Sequence, residues 1–174
     1  YNKCWEKGEI PSSWYETLIS YIYKNKGKVQ ELTSYRLIAL TSMLANIFKT
    51  MWLQRLVPVV DKHLSHCQGG FRMGSGVKEQ LWALLEYVEE ADSEGTERIF
   101  CTTDVHKAFD QVYRNGTIYL LYGMGVRGKM LHMLDQWISR NYAVQRWRGH
   151  TGDRVELTAN GLRQGCTLSP ILYL

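Results

Sequence analysis

Apolar positions along the chain switch between alternation and a three-to-four-residue period, and the switches mark its elements. Thr17–Tyr23 is a β-branched and aromatic run closed by the basic turn Lys24-Asn25-Lys26-Gly27-Lys28, which predicts a strand entering a charged loop. Tyr35–Leu40 predicts a second extended segment. Thr41 or Ser42 then caps a helix on which Leu44, Ile47, Phe48, Met51 and Leu56 recur at helical spacing, and Pro58 bends or ends it. Gln68–Gly76 holds too much glycine for a regular element. Val77, Leu81, Leu84, Leu85 and Val88 mark an amphipathic helix with acidic residues opposite. Ile99–Thr103 predicts a strand with Asp104 at its end, and segments 112–123 and 126–140 carry helical periods. Ala143–Arg148 and Arg154–Thr158 alternate across Gly149-His150-Thr151-Gly152, the pattern of a hairpin. Ser169-Pro170 opens a last helix, with proline at a tolerated first-turn position. The mixture predicts an α/β (α+β) chain without internal repeats.

Composition narrows the classes. The 174 residues are 45% hydrophobic and 12% aromatic, enough for one core and against wholesale disorder. No apolar run approaches the roughly 20 residues that span a bilayer, so no membrane role is expected. The chain starts at Tyr1 without methionine and stops within the apolar run Ile171-Leu172-Tyr173-Leu174, so it reads as a piece of a longer chain. Cys4, Cys67, Cys101 and Cys166 are scattered, which predicts a reducing compartment and no secretion. His63, His66 and Cys67 match no zinc spacing and read as a helix end and a loop. The net charge of +4 hides a segregation. Residues 79–97 hold seven acids and no base, leaving 21 bases against 10 acids elsewhere. A basic body with one acidic face suits a polyanion, or is a solvated surface with mild imbalance.

Two stretches carry chemistry. A carboxylate at the tip of a strand, Asp104, is placed to bind a hard cation or to cap the turn that follows. Gln164-Gly165 sets an amide side chain beside a residue whose backbone can approach a ligand closely. The run TTDVHKAFD (102–110) resembles the motif of the first catalytic aspartate of reverse transcriptases, and GLRQGCTLSPILYL (161–174) resembles the block that follows it. QGGFRMGSG (68–76) is similar to the family's fingers motif, SYRLIALTSMLANIFKTMWLQRL (34–56) to its first fingers helix region, and IYKNKG (22–27) to the basic strand and loop before that. These blocks stand in the family's order and resemble most the non-LTR (LINE-type) retrotransposon enzymes, and more distantly group II intron maturases. Leu37 stands where the family usually has proline, and no Asp-Asp pair of the second catalytic motif occurs in these residues.

The resemblance implies the fingers (about 1–97) and first part of the palm (about 98–174) of a right-hand polymerase. It implies an RNA-directed DNA polymerase working on an RNA template, a DNA primer and deoxynucleoside triphosphates, in the nucleus or cytoplasm. Asp104, with the Val105 carbonyl, is implied to hold Mg2+, with Mn2+ as a substitute. One carboxylate without the absent pair leaves this chain inactive by itself. Phe109 would lie beneath the incoming sugar or pack in the core. Gln164 and Gly165 would line the nucleotide pocket, and Arg72 and Lys24 would meet phosphate or the incoming base. Arg36 contacts template or forms a structural ion pair. Arg146, Arg148 and Arg163 supply nucleic-acid contacts, with Trp147 as a stacking face or a packed sheet residue. The competing reading is a decayed or domesticated remnant that binds nucleic acid without catalysis.

Overall fold

The computed structural model describes residues 1–147, 149–157 and 160–174. A four-stranded mixed sheet is built on the first predicted strand. β1 (Glu16–Tyr23) pairs antiparallel with β2 (Tyr35–Leu40) on one side and parallel with β3 (Tyr142–Trp147) on the other. β4 (His150–Glu156) completes the order β2-β1-β3-β4. The sheet thus joins strands from both ends of the sequence. Thr17 lies in register with Ala143 and Ile19 with Ala39, and Thr17, Ala39 and Ala143 are buried.

Among the described residues seven α-helices accompany the strands. α1 (Asn2–Lys7) ends on Gly8 in the left-handed region, φ 69°. α2 spans Met43–Val60, α3 Val77–Glu94, and α4 is the single turn Ala108–Gln111. α5 (Arg114–Gly123) and α6 (Gly128–Ser139) follow, and α7 (Ser169–Tyr173) carries proline in its first turn, as the sequence predicts. Among the described residues no helix is long and apolar enough to cross a membrane.

The core forms where α2, α6 and α7 meet. Phe48, Trp52 and Leu56 of α2 pack with Met133, Leu134 and Trp137 of α6 and with Leu168, Ile171 and Leu172. Burial of each such side chain stabilises by roughly 1.5–3 kcal/mol, and no single strand or helix could supply that alone.

Four sequence expectations are corrected. Pro58 neither ends nor stops α2, which runs to Val60 with the Asp61 amide donating to the Val57 carbonyl. Proline and Gln54, whose carbonyl loses its donor, both lie on the exposed side, where water replaces the bond. The buried face of α2 is Ala45, Phe48, Lys49, Trp52 and Leu56, whereas Leu44 and Ile47 are exposed. The hairpin is tighter than predicted: β4 begins at His150, which pairs directly with Trp147. Thr158 of the expected second strand lies outside the described residues. Finally, Ile99–Thr103 forms no strand. Ile99 is 97% exposed, and among the described residues no strand offers this segment a ladder. β propensity without a pairing partner leaves backbone donors to water.

α3 forms where its period places it, yet of its residues only Ala91 is buried. Its end is fixed locally. Gly95 closes it in the left-handed region at φ 65°, and the chain turns back so that Arg98 pairs with Glu94 at 3.1 Å and lies over the Tyr87 ring.

Lys49 is the least expected core residue. Its ammonium donates to Thr41 Oγ1 at 2.9 Å and Cys166 Sγ at 3.5 Å, and lies 4.7 Å from the Trp137 ring centre. Burial pushes its pKa down from the ordinary 10.5, outweighing the Cys166 contact. The cost of burying the charge is therefore full at neutral pH and eases as pH rises through the lowered pKa toward 10.5. Lys49→Met keeps the length and removes the charge. It is expected to raise domain stability by about 1 kcal/mol at pH 7, with the gain shrinking as pH rises toward 10.5. Denaturant melts of both proteins across pH are the measurement, and a loss of stability at pH 7 would show that the ammonium contacts outweigh its desolvation.

Candidate active site

Two separate stretches, the glycine-rich loop and residues 161–173, converge on the short turn that follows Asp104, and β2 joins the second of them at Gln164. Lys107 adopts a left-handed conformation, φ 50°, and its carbonyl accepts from the amides of Asp110 and Gln111, which starts α4. Gly161 and Leu162 close on that turn from 50 residues away. The Gly161 amide donates to the Val112 carbonyl and the Leu162 amide to the Phe109 carbonyl, each at 2.8 Å. The Phe109 ring packs on Tyr173 of α7 at 5.3 Å and on Phe71 of the glycine-rich loop at 6.1 Å. On the other side the Ala39 amide of β2 donates to the Gln164 carbonyl at 2.9 Å.

These contacts fix where the candidate residues stand. Asp104 and Val105 are exposed in an irregular segment, and among the described residues no hydrogen bond or ion pair engages the Asp104 carboxylate. Phe109 is half-buried at the edge of the core. Gln164 is exposed, and Gly165, at φ 99°, lies so near β2 that a Cβ there would meet the Ala39 carbonyl at 3.2 Å. Only glycine combines that φ with that approach. Lys24 stays exposed while its ammonium donates to the Thr33 carbonyl at 2.9 Å. Arg36 and Arg146 are exposed on β2 and β3, and among the described residues Arg36 makes no ion pair. Arg148 lies outside the described residues.

Two arginines are already engaged. Arg72 forms a two-point pair with Asp61, Nε to Oδ1 at 2.7 Å and Nη2 to Oδ2 at 3.3 Å, and donates to the Ser65 carbonyl. Its guanidinium anchors the glycine-rich loop to the end of α2. Arg163 corrects the sequence reading of a nucleic-acid contact: only 9% of it is exposed. Its Nη2 donates to the carbonyls of Tyr15 and Arg140, and its guanidinium lies 4.3 Å from the Trp137 ring centre. Burial pulls its pKa down to about 10. An arginine is not told apart by sequence as a surface or a buried cation, and here the 161–169 segment folds inward.

Sequence reasoning passed over Arg114, whose Nε and Nη1 donate to the carbonyls of Gly161 and Leu157 at 2.8 and 3.1 Å. Nothing in its neighbours marks it. Lys49 did leave a signal, a cation within the Ala45, Phe48, Trp52 stripe. An apolar cleft of about 270 Å3 lies behind α4, between Val112, Leu120, Met124 and Leu172. Its lining is mostly apolar, with Tyr113, Thr117 and Tyr173 among it, and includes neither Asp104 nor Gln164.

Among the described residues no three His, Cys, Asp or Glu side chains come together to hold a metal ion. A hard divalent cation needs several oxygen ligands, and Asp104 supplies one carboxylate. These residues alone therefore do not make a metal centre.

The sequence profile described as "Reverse transcriptase (RNA-dependent DNA polymerase)" matches residues 22–174. The chain is 26% identical over 180 aligned positions to the RNA-directed DNA polymerase from mobile element jockey of Drosophila melanogaster, covering 99% of this chain and 19% of that protein. It is 29% identical to the probable RNA-directed DNA polymerase from transposon X-element and 28% identical to that from transposon BS, both of Drosophila melanogaster. Each covers 94% of this chain and 18% of the relative. The chain thus spans about a fifth of the length of the relatives it matches.

The clamp between Gly161 and α4 should be the site's mechanical weak point. Gly161 sits at φ 104°, and a Cβ there would meet the Asp110 Cα and carbonyl oxygen at 3.0 Å. Backbone atoms cannot swing aside as a side-chain tip does. Gly161→Ala is expected to destabilise by roughly 2–4 kcal/mol, strain and overpacking combined, read as a lower denaturant midpoint with little change in slope. A midpoint equal to wild type would mean that the 109–112 and 161–162 contact is not needed for stability.

Proposed function

The chain belongs to the reverse transcriptase family, and we propose that it is the nucleotide-adding region of a retrotransposon-type RNA-directed DNA polymerase, extending a DNA primer 3′-hydroxyl along an RNA template with deoxynucleoside triphosphates. The observation that carries this reading is the convergence on the α4 turn. The stretches around Phe71, Ala39, Phe109 and Gln164 are far apart in sequence and touch one another here. Packing alone explains the Phe109 contacts. It does not explain an exposed carboxylate at Asp104 that is unpaired among the described residues, nor an exposed amide at Gln164 whose backbone is bonded to β2.

In this reading Asp104 is the carboxylate that these residues contribute to a divalent-cation centre, magnesium or manganese, whose other ligands lie outside the chain described. The Phe109 ring forms the floor under the incoming sugar, held by Tyr173 and Phe71. Gln164 and Gly165 line the nucleotide side, with Gly165 letting the backbone pass β2 closely. Lys24, Arg36 and Arg146 are the cations left on the surface to meet phosphates. Arg72 serves through its Asp61 pair by holding the Phe71 loop against Phe109.

The first test is at the carboxylate. In the complete protein, Asp104→Asn is expected to cut primer extension by roughly a thousandfold or more, several kcal/mol of lost charge stabilisation. Thermal melting should not move, since the side chain is exposed and bonds to nothing described. Near-wild-type extension would falsify the assignment.

The second test is at the sugar floor. Phe109→Val opens space where a 2′-hydroxyl would clash, so ribonucleotide incorporation relative to deoxynucleotide should rise about tenfold or more. Single-turnover competition between the two substrates measures it. An unchanged ratio would make Phe109 a core residue only.

A further inference from the structure

One end of the sheet carries four aromatic rings that the site just described does not use. Tyr21 and Tyr23 alternate onto the same face of β1, and the register sets Tyr35 of β2 directly opposite Tyr23. Trp147 at the end of β3 meets Tyr21 and Tyr35 edge-on, with ring centres 5.4 and 5.7 Å apart. Tyr23 and Tyr35 lie 5.4 Å apart. In a core such a cluster would be closed from solvent. Here the tyrosines are half-buried and Trp147 is 46% exposed.

The same rings hold a basic loop in place. The Tyr23 hydroxyl donates to the Gly27 carbonyl at 2.6 Å and the Tyr35 hydroxyl to the Val29 carbonyl at 2.9 Å. Lys24, Lys26 and Lys28 are exposed on that loop, with Glu31 3.9 Å from the Lys28 ammonium as its one acid. Tyrosines thus contribute ring faces to the patch and, through their hydroxyls, fix a positive rim beside it.

We infer that this aromatic end of the sheet is a stacking platform for an unpaired nucleic-acid strand. Flat ring faces recognise base faces, and every base has one, so the platform tolerates sequence. The lysine rim neutralises the backbone of the same strand. A duplex offers the rim its phosphates and hides its base faces, so the rings discriminate single strand from duplex. Arg36 falls on the opposite face, across from Ile22, so the rim here is the lysine loop. The inference rests on the polymerase reading only in taking nucleic acid as the partner.

The test uses the full-length protein and three labelled probes: an oligo(U) RNA and an oligo(dT) DNA of about 20 nucleotides, longer than a site of ~4–16, and a blunt RNA–DNA hybrid. Trp147→Ala is expected to weaken at least one single strand about tenfold, the scale of one lost stacking contact, and to leave the hybrid within about twofold. Trp147→Phe should restore most of the loss. Tyr21→Leu, which keeps an apolar residue on the strand, should weaken the same probe and keeps the test decisive if Trp147→Ala does not fold. Single-strand affinity unchanged in folded variants, or an equal loss on the hybrid, overturns the platform. Asp104→Asn should bind every probe as the parent does. Failure at Asp104 and failure at Trp147 are therefore told apart.

Discussion

The structure is organised around the buried Arg163 guanidinium, one of two cations kept inside it without a carboxylate partner among the described residues. The Arg163 guanidinium and the Lys49 ammonium both lie over the Trp137 ring. Arg163 reaches the carbonyls of Tyr15 and Arg140, at the entrance to β1 and the exit of α6, while Lys49 reaches Thr41 and Cys166. A buried charge survives only if dipoles and rings replace its water. That demand draws α2, α6, the start of β1 and the 161–169 segment to one place. Ser169 tightens the knot by donating its hydroxyl to the Arg163 carbonyl at 2.7 Å.

The candidate site is built outward from that knot. Arg163 fixes the segment whose preceding residues, Gly161 and Leu162, bond the α4 turn, and whose following residues, Gln164 and Gly165, touch β2. Backbone bonds hold Phe109, Gly161, Leu162 and Gln164, while the side chains of Asp104 and Gln164 stay outside the packing. Arg72 and Arg163 illustrate the other side of this division, each used up in positioning a loop.

The acidic helix is the counterpart of that economy. α3 presents Leu81, Trp82, Leu85 and Val88 to solvent, and the seven acids of residues 79–97 are segregated from the bases along the sequence. It is fixed by its own C-terminal turn, by the Arg98 pairs and by the Tyr87–Phe100 contact rather than by the core. The segment after it stays irregular as far as Asp104, so the carboxylate is delivered by local chain geometry and by the α4 clamp.

Much of this was legible in the sequence. Period and turn chemistry are local, so β1, β2, α2, α3, α6, the hairpin and the Ser169-Pro170 helix start could be read where they stand. The candidate residues Asp104, Phe109, Gln164 and Gly165 could be named because the runs that hold them, 102–110 and 161–174, resemble reverse transcriptase motifs. What the sequence could not decide was partnership. Whether 99–103 is a strand depends on a neighbour to bond, whether Leu44 or Trp52 faces inward depends on where α6 lies, and whether Arg163 meets phosphate or a carbonyl depends on which way its segment folds. An arginine, a lysine or a β-branched run carries the same local signal inside and outside. Burial and hydrogen-bond partners arise between segments, and only the tertiary structure assigns them.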